Sequence, residues 1–188
     1  MKNNYLTTAW LVLLLAVLFG ASLAAVQIAL KPRIDANKMA ETYNQIPALV
    51  PGGDVTGDME NFGGVKAYRV KNDSGQTAGW VVPASGQGFA GKIEILLGLN
   101  SDATEITGIY VLGQQETPGL GNNIVRESWR KQFSQVPTTP ALQVTKEKAR
   151  KDYQIEAITG ATISSQSVVD IVNNVVGKIR KSLEGGQA

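Results

Sequence analysis

The sequence contains neither cysteine nor histidine. Without cysteine the chain supplies no disulfide, no thiolate-ligated iron–sulfur cluster, no c-type haem attachment and no thiol nucleophile. Without histidine it cannot run Ser-His-Asp chemistry, and the commonest metal ligand is missing. If a redox group is bound covalently, links through sulfur or imidazole are excluded with them, and among the usual attachments a hydroxyl ester remains. A net charge of only +2 gives no electrostatic footprint for nucleic acid. No dinucleotide fingerprint is present either. Gly86, Gly88 and Gly91 have the wrong spacing and run into a strand-like segment. Neither a nucleophile–base pair nor a carboxylate dyad marks the chain as a complete enzyme.

What remains is 188 residues, 43% hydrophobic, with 20 glycines, enough for one soluble domain with many turns and an appendage. The appendage is at the start. Asn3 to Leu30 carry no charge, a stretch longer than the ~20 residues a helix needs to cross the hydrocarbon layer. Tyr5 and Trp10 suit an interface. We read residues 1–32 as a retained membrane anchor rather than a cleaved signal peptide. Ser22-Leu23-Ala24 offers a small-residue cleavage site, but Lys2 is the only charge before the apolar run, which continues through Val26-Gln27-Ile28-Ala29-Leu30. Lys31, Arg33 and Lys38 follow it, and by charge bias weakly place that side in the cytoplasm.

Pro32 predicts an interruption. Residues 33–64 read as a membrane-proximal helical connector with Ile34, Met39, Tyr43 and Ile46 as candidate buried positions, closed by Pro51-Gly52-Gly53. From Val65 the pattern becomes strand-like. Residues 65–70 and 78–82 flank the turn signal Asn72-Asp73-Ser74-Gly75, and residues 92–99 and 105–112 flank Asn100-Ser101-Asp102, which predicts two hairpins. Trp129 and Phe133 share a helical face and read as core. Leu142-Gln143-Val144 suggests a further strand, and residues 146–152 a solvated charged face. The clearest helix runs from the Thr162 region to Leu183, with Val168, Val169, Val172, Val175, Val176, Ile179 and Leu183 on one stripe. Gly185-Gly186 ends it.

Two loops carry the chemistry. Glu156-Ala157-Ile158-Thr159-Gly160-Ala161-Thr162-Ile163-Ser164-Ser165 puts four hydroxyls at a helix start, where unpaired N–H groups and the helix dipole favour an anion such as phosphate. Gln115-Glu116-Thr117-Pro118-Gly119-Leu120-Gly121 is a Pro-Gly turn whose glycines permit close approach of the backbone.

Both segments resemble the FMN-binding domain of the G subunit of the Rnf electron-transport complex and of the related C subunit of the sodium-pumping NADH:quinone oxidoreductase. Thr159-Gly160-Ala161-Thr162 matches the family's (Ser/Thr)-Gly-Ala-Thr signature, and Glu116 to Gly121 its Glu-Thr-Pro-Gly-Leu-Gly segment. Gln115 stands where the family usually has histidine, and Glu156 where it usually has aspartate. The glycine segment around Phe89 loosely resembles the Gly-Tyr-Gly-Gly of the Rnf G subunits.

The resemblance implies an α+β fold, an N-terminal transmembrane helix followed by one FMN-binding domain, residues 65–188, whose antiparallel sheet is packed by helices. It implies FMN bound covalently as a phosphoester of Thr162. Thr159, Gly160, Ala161, Glu116, Thr117 and Leu120 belong to the same cofactor site, and Glu156 to recognition by a flavin transferase. The implied setting is single-pass in the inner membrane with the domain on the outer side, against the charge bias. The implied role is electron transfer among other membrane subunits of an Rnf-type complex that couples ferredoxin:NAD electron flow to Na+ or H+ translocation. Alternatives are a C-type subunit of the quinone reductase, a membrane-tethered adaptor in which the Thr159–Thr162 loop is only a helix cap, and a noncovalent flavin reductase. The last would need the missing nicotinamide fingerprint.

Overall fold

The computed structural model describes residues 5–185; Lys2, Gly186 and the side chain of Tyr5 lie outside the described residues. The chain divides into two compact units, residues 1–40 and residues 41–188.

Helix α1, Tyr5–Leu49, supplies the described part of the first unit. Among the described residues it is the one helix long and apolar enough to cross a membrane. Leu13, Val17, Phe19 and Leu23 are all exposed. A helix apolar on every side has no water-facing stripe and suits a lipid solvent. The interruption expected at Pro32 does not occur. A proline removes one N–H donor and crowds the carbonyl four residues earlier, here that of Ile28, and a long helix bonded on both sides of such a lesion can absorb it.

The second unit is built on a six-stranded antiparallel sheet in sequential order. Its strands are β1 (Gly53–Phe62), β2 (Val65–Asn72), β3 (Thr77–Gln87), β4 (Lys92–Asn100), β5 (Glu105–Gly113) and β6 (Val136–Pro137). Both predicted hairpins are present, β2 with β3 and β4 with β5. The Asn72 side chain accepts the N–H groups of Ser74 and Gln76 in the first turn, the side-chain mimicry of a turn that makes Asn frequent there. Strand β1 lies within the stretch read as a connector. Its sequence mixes Gly53, Asp54, Gly57, Asp58 and Glu60, so no alternation of large apolar residues announces it.

The sheet is covered on both faces, which explains why β4 reads as a continuous apolar run. Trp80, Val82, Ile95, Leu97 and Leu99 belong to one core with helix α3 (Thr162–Gly185), including Val168, Val169, Val172 and Ile179. Tyr68, Val70, Val81 and Leu96 belong to a second core with Ile46, Leu49 and Val50. Of the four positions predicted for the connector, only Ile46 is buried, at 1% exposure, while Ile34, Met39 and Tyr43 are exposed. The stripe that meets the sheet is Thr42, Ile46 and Leu49, spaced by four and three as one helix face requires.

Between β5 and β6 the chain forms the loop 114–120, a 3₁₀ turn over Gly121–Val125, the short helix α2 (Glu127–Arg130) and another 3₁₀ turn over Lys131–Phe133. Strands β7 (Gln143–Thr145) and β8 (Gln154–Glu156) pair in parallel. Strand β8 delivers the chain to the start of α3.

Candidate functional site

The two loops singled out from the sequence, far apart in the chain, line one cavity of about 320 Å³. Its walls are Phe89, Thr117, Leu120, Gly121, Gly160, Ala161, Thr162, Ile163 and Ser164. Small residues allow the approach. Gly160 has φ +79°, a left-handed conformation open to glycine at little cost, and a Cβ there would lie 3.1 Å from Leu120 Cδ2.

The start of α3 is organised by its serines. The Ser165 hydroxyl accepts the Ile158 N–H at 3.0 Å and donates to the Ala161 carbonyl at 3.1 Å, with no exposure to solvent. The Ser165 N–H also donates to Ala161 O, at 3.1 Å. The N–H groups of Thr162, Ile163 and Ser164 find no hydrogen-bonded backbone acceptor among the described residues. These are the orphan donors that a helix N-terminus leaves, and with the dipole they constitute an anion-receiving edge on the cavity wall.

The hydroxyls in this region differ in what they are free to do. Ser164 Oγ, 2% exposed, donates to the Glu116 carboxylate. Ser165 Oγ is committed to the loop. Thr159 is exposed and is not among the residues lining the cavity. Thr162 lines it, half-buried, and its hydroxyl makes no protein hydrogen bond among the described residues.

Gly160, Ala161, Thr162, Thr117 and Leu120 are thus brought together, while Thr159 stands outside. Glu116 lies behind the wall, 5% exposed. Its Oε1 accepts the Ala90 and Gly91 N–H groups at 3.1 and 3.4 Å, and its own N–H donates to Gln114 Oε1 at 2.5 Å. Gln115 packs over Gly91, where a Cβ would lie 2.6 Å from its side chain, and does not line the cavity. Asn122 and Asn123 brace the Pro-Gly turn, Asn122 Oδ1 accepting the Gly119 N–H and Asn123 Nδ2 donating to Gly119 O.

Glu156 sits elsewhere, on a separate polar cleft of about 540 Å³ with Gln132, Arg150 and Lys151. Its carboxylate accepts the Ala149 N–H at 2.8 Å. Its backbone N–H donates to Gln132 Oε1, and its carbonyl accepts the indole N–H of Trp129. Trp129 and Phe133 are buried with their rings 5.2 Å apart. Both are core, as read from the sequence.

Sequence reasoning passed over Ser164 as a specific partner, Ile163 as a cavity wall and the asparagine brace. Their signal was present only as residue types, since hydroxyls and amides at turns are ordinary. What selects them is contact between segments far apart in the chain.

The residues present fit an FMN. The wall holds a helix N-terminus for a phosphate, an uncommitted hydroxyl beside it, and the apolar side chains of Phe89, Leu120 and Ile163, each well exposed on the rim. No Asp, Glu, Lys or Arg among the described residues lines the cavity. Among the described residues no cluster of His, Cys, Asp or Glu offers a metal site.

Residues 88–177 match the model of the FMN-binding domain. The G subunit of the ion-translocating oxidoreductase complex of Methanosarcina acetivorans is 35% identical over 147 residues, 76% of this chain and 76% of the relative. The G subunit of the proton-translocating ferredoxin:NAD(+) oxidoreductase complex of Clostridium ljungdahlii is 32% identical, covering 85% and 83%. The C subunit of the Na(+)-translocating NADH-quinone reductase of Pasteurella multocida is also 32% identical, but the match takes in 73% of this chain and only 55% of the relative. Among solved structures, NqrC of Shewanella oneidensis superposes with a TM-score of 0.56 at 19% identity, over 75% of this chain and 74% of the other. The two share a fold.

Proposed function

The chain belongs to the FMN-binding domain family, with the G subunits of ion-translocating oxidoreductase complexes, and on that premise we propose that it holds FMN as a phosphoester of Thr162 and relays electrons between partner subunits at a membrane. One observation carries the choice of Thr162. Ser164 and Ser165 are buried and engaged, Thr159 is off the cavity, and the Thr162 hydroxyl is inside it and uncommitted.

When bound, FMN supplies the reversible electron uptake and release that no side chain here provides. The protein holds and surrounds it. An esterified phosphate keeps about one negative charge, and the orphan N–H groups of Ile163 and Ser164 with the α3 dipole favour that charge. Phe89, Leu120 and Ile163 present apolar surface of the kind a flat aromatic ring covers. Gly160 and Gly121 keep the backbone low enough to form the wall.

The complex is of the kind that couples ferredoxin:NAD electron flow to Na+ or H+ translocation. The G subunits of the Methanosarcina acetivorans and Clostridium ljungdahlii complexes match over three quarters or more of both chains, which supports a G-type assignment. Residues 1–32 anchor it in the inner membrane, and the cofactor domain, whose sheet begins with β1 at Gly53 and not at residue 65, stands on the outer side. A compartment without an FMN pool gives a reason for covalent attachment. Maturation then needs a flavin transferase, with Glu156 in its recognition site. The folded chain already commits that carboxylate to Ala149 N–H, so recognition involves the polar cleft around Glu156 or precedes closure of residues 146–152.

Expression with a flavin transferase and inspection of a denaturing gel under ultraviolet light tests the reading. Wild type and Thr159→Ala give a fluorescent band, and Thr162→Ala gives none. A dark wild-type band favours the tethered adaptor instead.

A further inference from the structure

Glu116 is a carboxylate withdrawn from water at a place where none is needed for packing alone. Burying an ionisable group is unfavourable unless its oxygens are satisfied, and here they are satisfied by groups from separate segments. Oε1 takes the Ala90 and Gly91 N–H groups from the turn between β3 and β4, and Oε2 takes the Ser164 hydroxyl from the first turn of α3. Three stretches of the cavity wall therefore meet on one side chain.

Two glycines make room for it. A Cβ at Gly88 would collide with Glu116 Oε1. A Cβ at Gly121 would stand 2.8 Å from Oε2 and 2.5 Å from Ser164 Oγ. Space has been cleared around the contact from both sides, so the junction is part of how the wall is built. Ser164 follows Thr162 by two residues, and its hydroxyl is committed to Glu116.

We propose that Glu116 and Ser164 form a positioning latch for cofactor attachment: the pair joins the Gly88–Gly91 turn, the 116–121 loop and the start of α3, holds Ser164 out of reaction, and so presents the Thr162 hydroxyl as the one that is esterified. This rests on the assignment of FMN to Thr162. In the attachment step the bond from Thr162 Oγ1 to the FMN phosphorus forms as the pyrophosphate P–O bond of a flavin dinucleotide donor breaks, and a nucleoside monophosphate leaves with the hydroxyl proton. Neither Glu116 nor Ser164 touches these reacting atoms. They act through the place and direction of Thr162, and a modest misplacement of a reacting group is enough to slow a covalent step substantially.

The test uses the full chain in membranes with a flavin transferase. It reads the rate and extent of FMN attachment by mass spectrometry of the peptide containing residue 162, beside the unfolding temperature of the unloaded protein. The variants are Ser164→Ala, Glu116→Gln, Glu116→Ala, the double variant Glu116→Ala/Ser164→Ala, and Val172→Ala as a core control on the same helix, fully buried and off the cavity. Ser164→Ala and Glu116→Ala each slow loading about tenfold or more, and the double variant is no slower than the slower single. Glu116→Gln, which keeps an acceptor for Ala90 and Gly91 and offers its amide to the Ser164 oxygen, restores most of the rate. Val172→Ala unfolds at lower temperature yet loads as wild type does.

Loading at the wild-type rate in Ser164→Ala and Glu116→Ala overturns the latch. So does a double variant whose loss is the product of the single losses, or a Val172→Ala that loads as poorly as the latch variants. A wild-type chain that takes no FMN removes the parent assignment itself, a separate and recognisable result.

Discussion

Gly160 shows how much of the site depends on single backbone positions. At φ +79° an L-residue with a Cβ pays roughly 1–2 kcal/mol, and the added atom would press on Leu120 Cδ2 at 3.1 Å. We expect Gly160→Ala to lower unfolding free energy by about that amount in a urea titration and to slow loading of Thr162, since the wall opposite Leu120 must shift. Unchanged stability would mean that the loop relaxes to another conformation without cost. The small-residue signature was legible in the sequence because glycine at such a turn has a direct physical reason. The commitment of Ser164 was not, since it depends on Glu116, 48 residues away. Nor was the retreat of Thr159 and Gln115 from the cavity wall. Residue type and spacing place a hydroxyl or amide near a loop, and tertiary contacts decide which way it faces.

At the scale of elements, the end of α1 is part of the second core. Ile46 is 1% exposed, packed with Leu49 and Val50 against Tyr68, Val70, Val81 and Leu96. Truncating a buried isoleucine to alanine costs about 2–5 kcal/mol. Ile46→Ala therefore destabilises residues 41–188 markedly in detergent-solubilised protein, while Met39→Ala, at an exposed position, changes the thermal midpoint little. Equal effects would contradict the assigned face. The sequence showed helical character here but not its phase. A stretch that leaves an all-apolar span carries too little contrast between faces for a stripe to stand out. Helix α3 was legible for the opposite reason, its valines recurring at three and four between polar residues. Strand β1 was hidden by glycine and acid and β8 by its shortness, while β7 was expected from Leu142-Gln143-Val144. Gly86 acquired a meaning only in three dimensions, since a Cβ there would lie 2.6 Å from Ile171 Cγ1, which lets α3 settle closely on β3.

For the whole molecule the question is on which side of the membrane the cofactor domain stands. Lys31, Arg33 and Lys38 argue for the cytoplasm, whereas the proposed function puts the domain on the outer side. The absence of native cysteine makes the question accessible. Ser74, exposed in the turn between β2 and β3, becomes the sole thiol in Ser74→Cys. We expect a membrane-impermeant maleimide to label it in cells whose outer permeability barrier has been opened and whose inner membrane is intact. Labelling only after the inner membrane is lysed would place the domain inside, and would remove the reason offered for a covalent cofactor.

The most direct measurement is mass spectrometry of the chain purified from its own membrane. The peptide that includes Thr162 should carry the added mass of FMN less one water, localised to that threonine and absent from Thr159, Ser164 and Ser165. A peptide wholly unmodified at residue 162, or an FMN carried on another hydroxyl, would contradict the account.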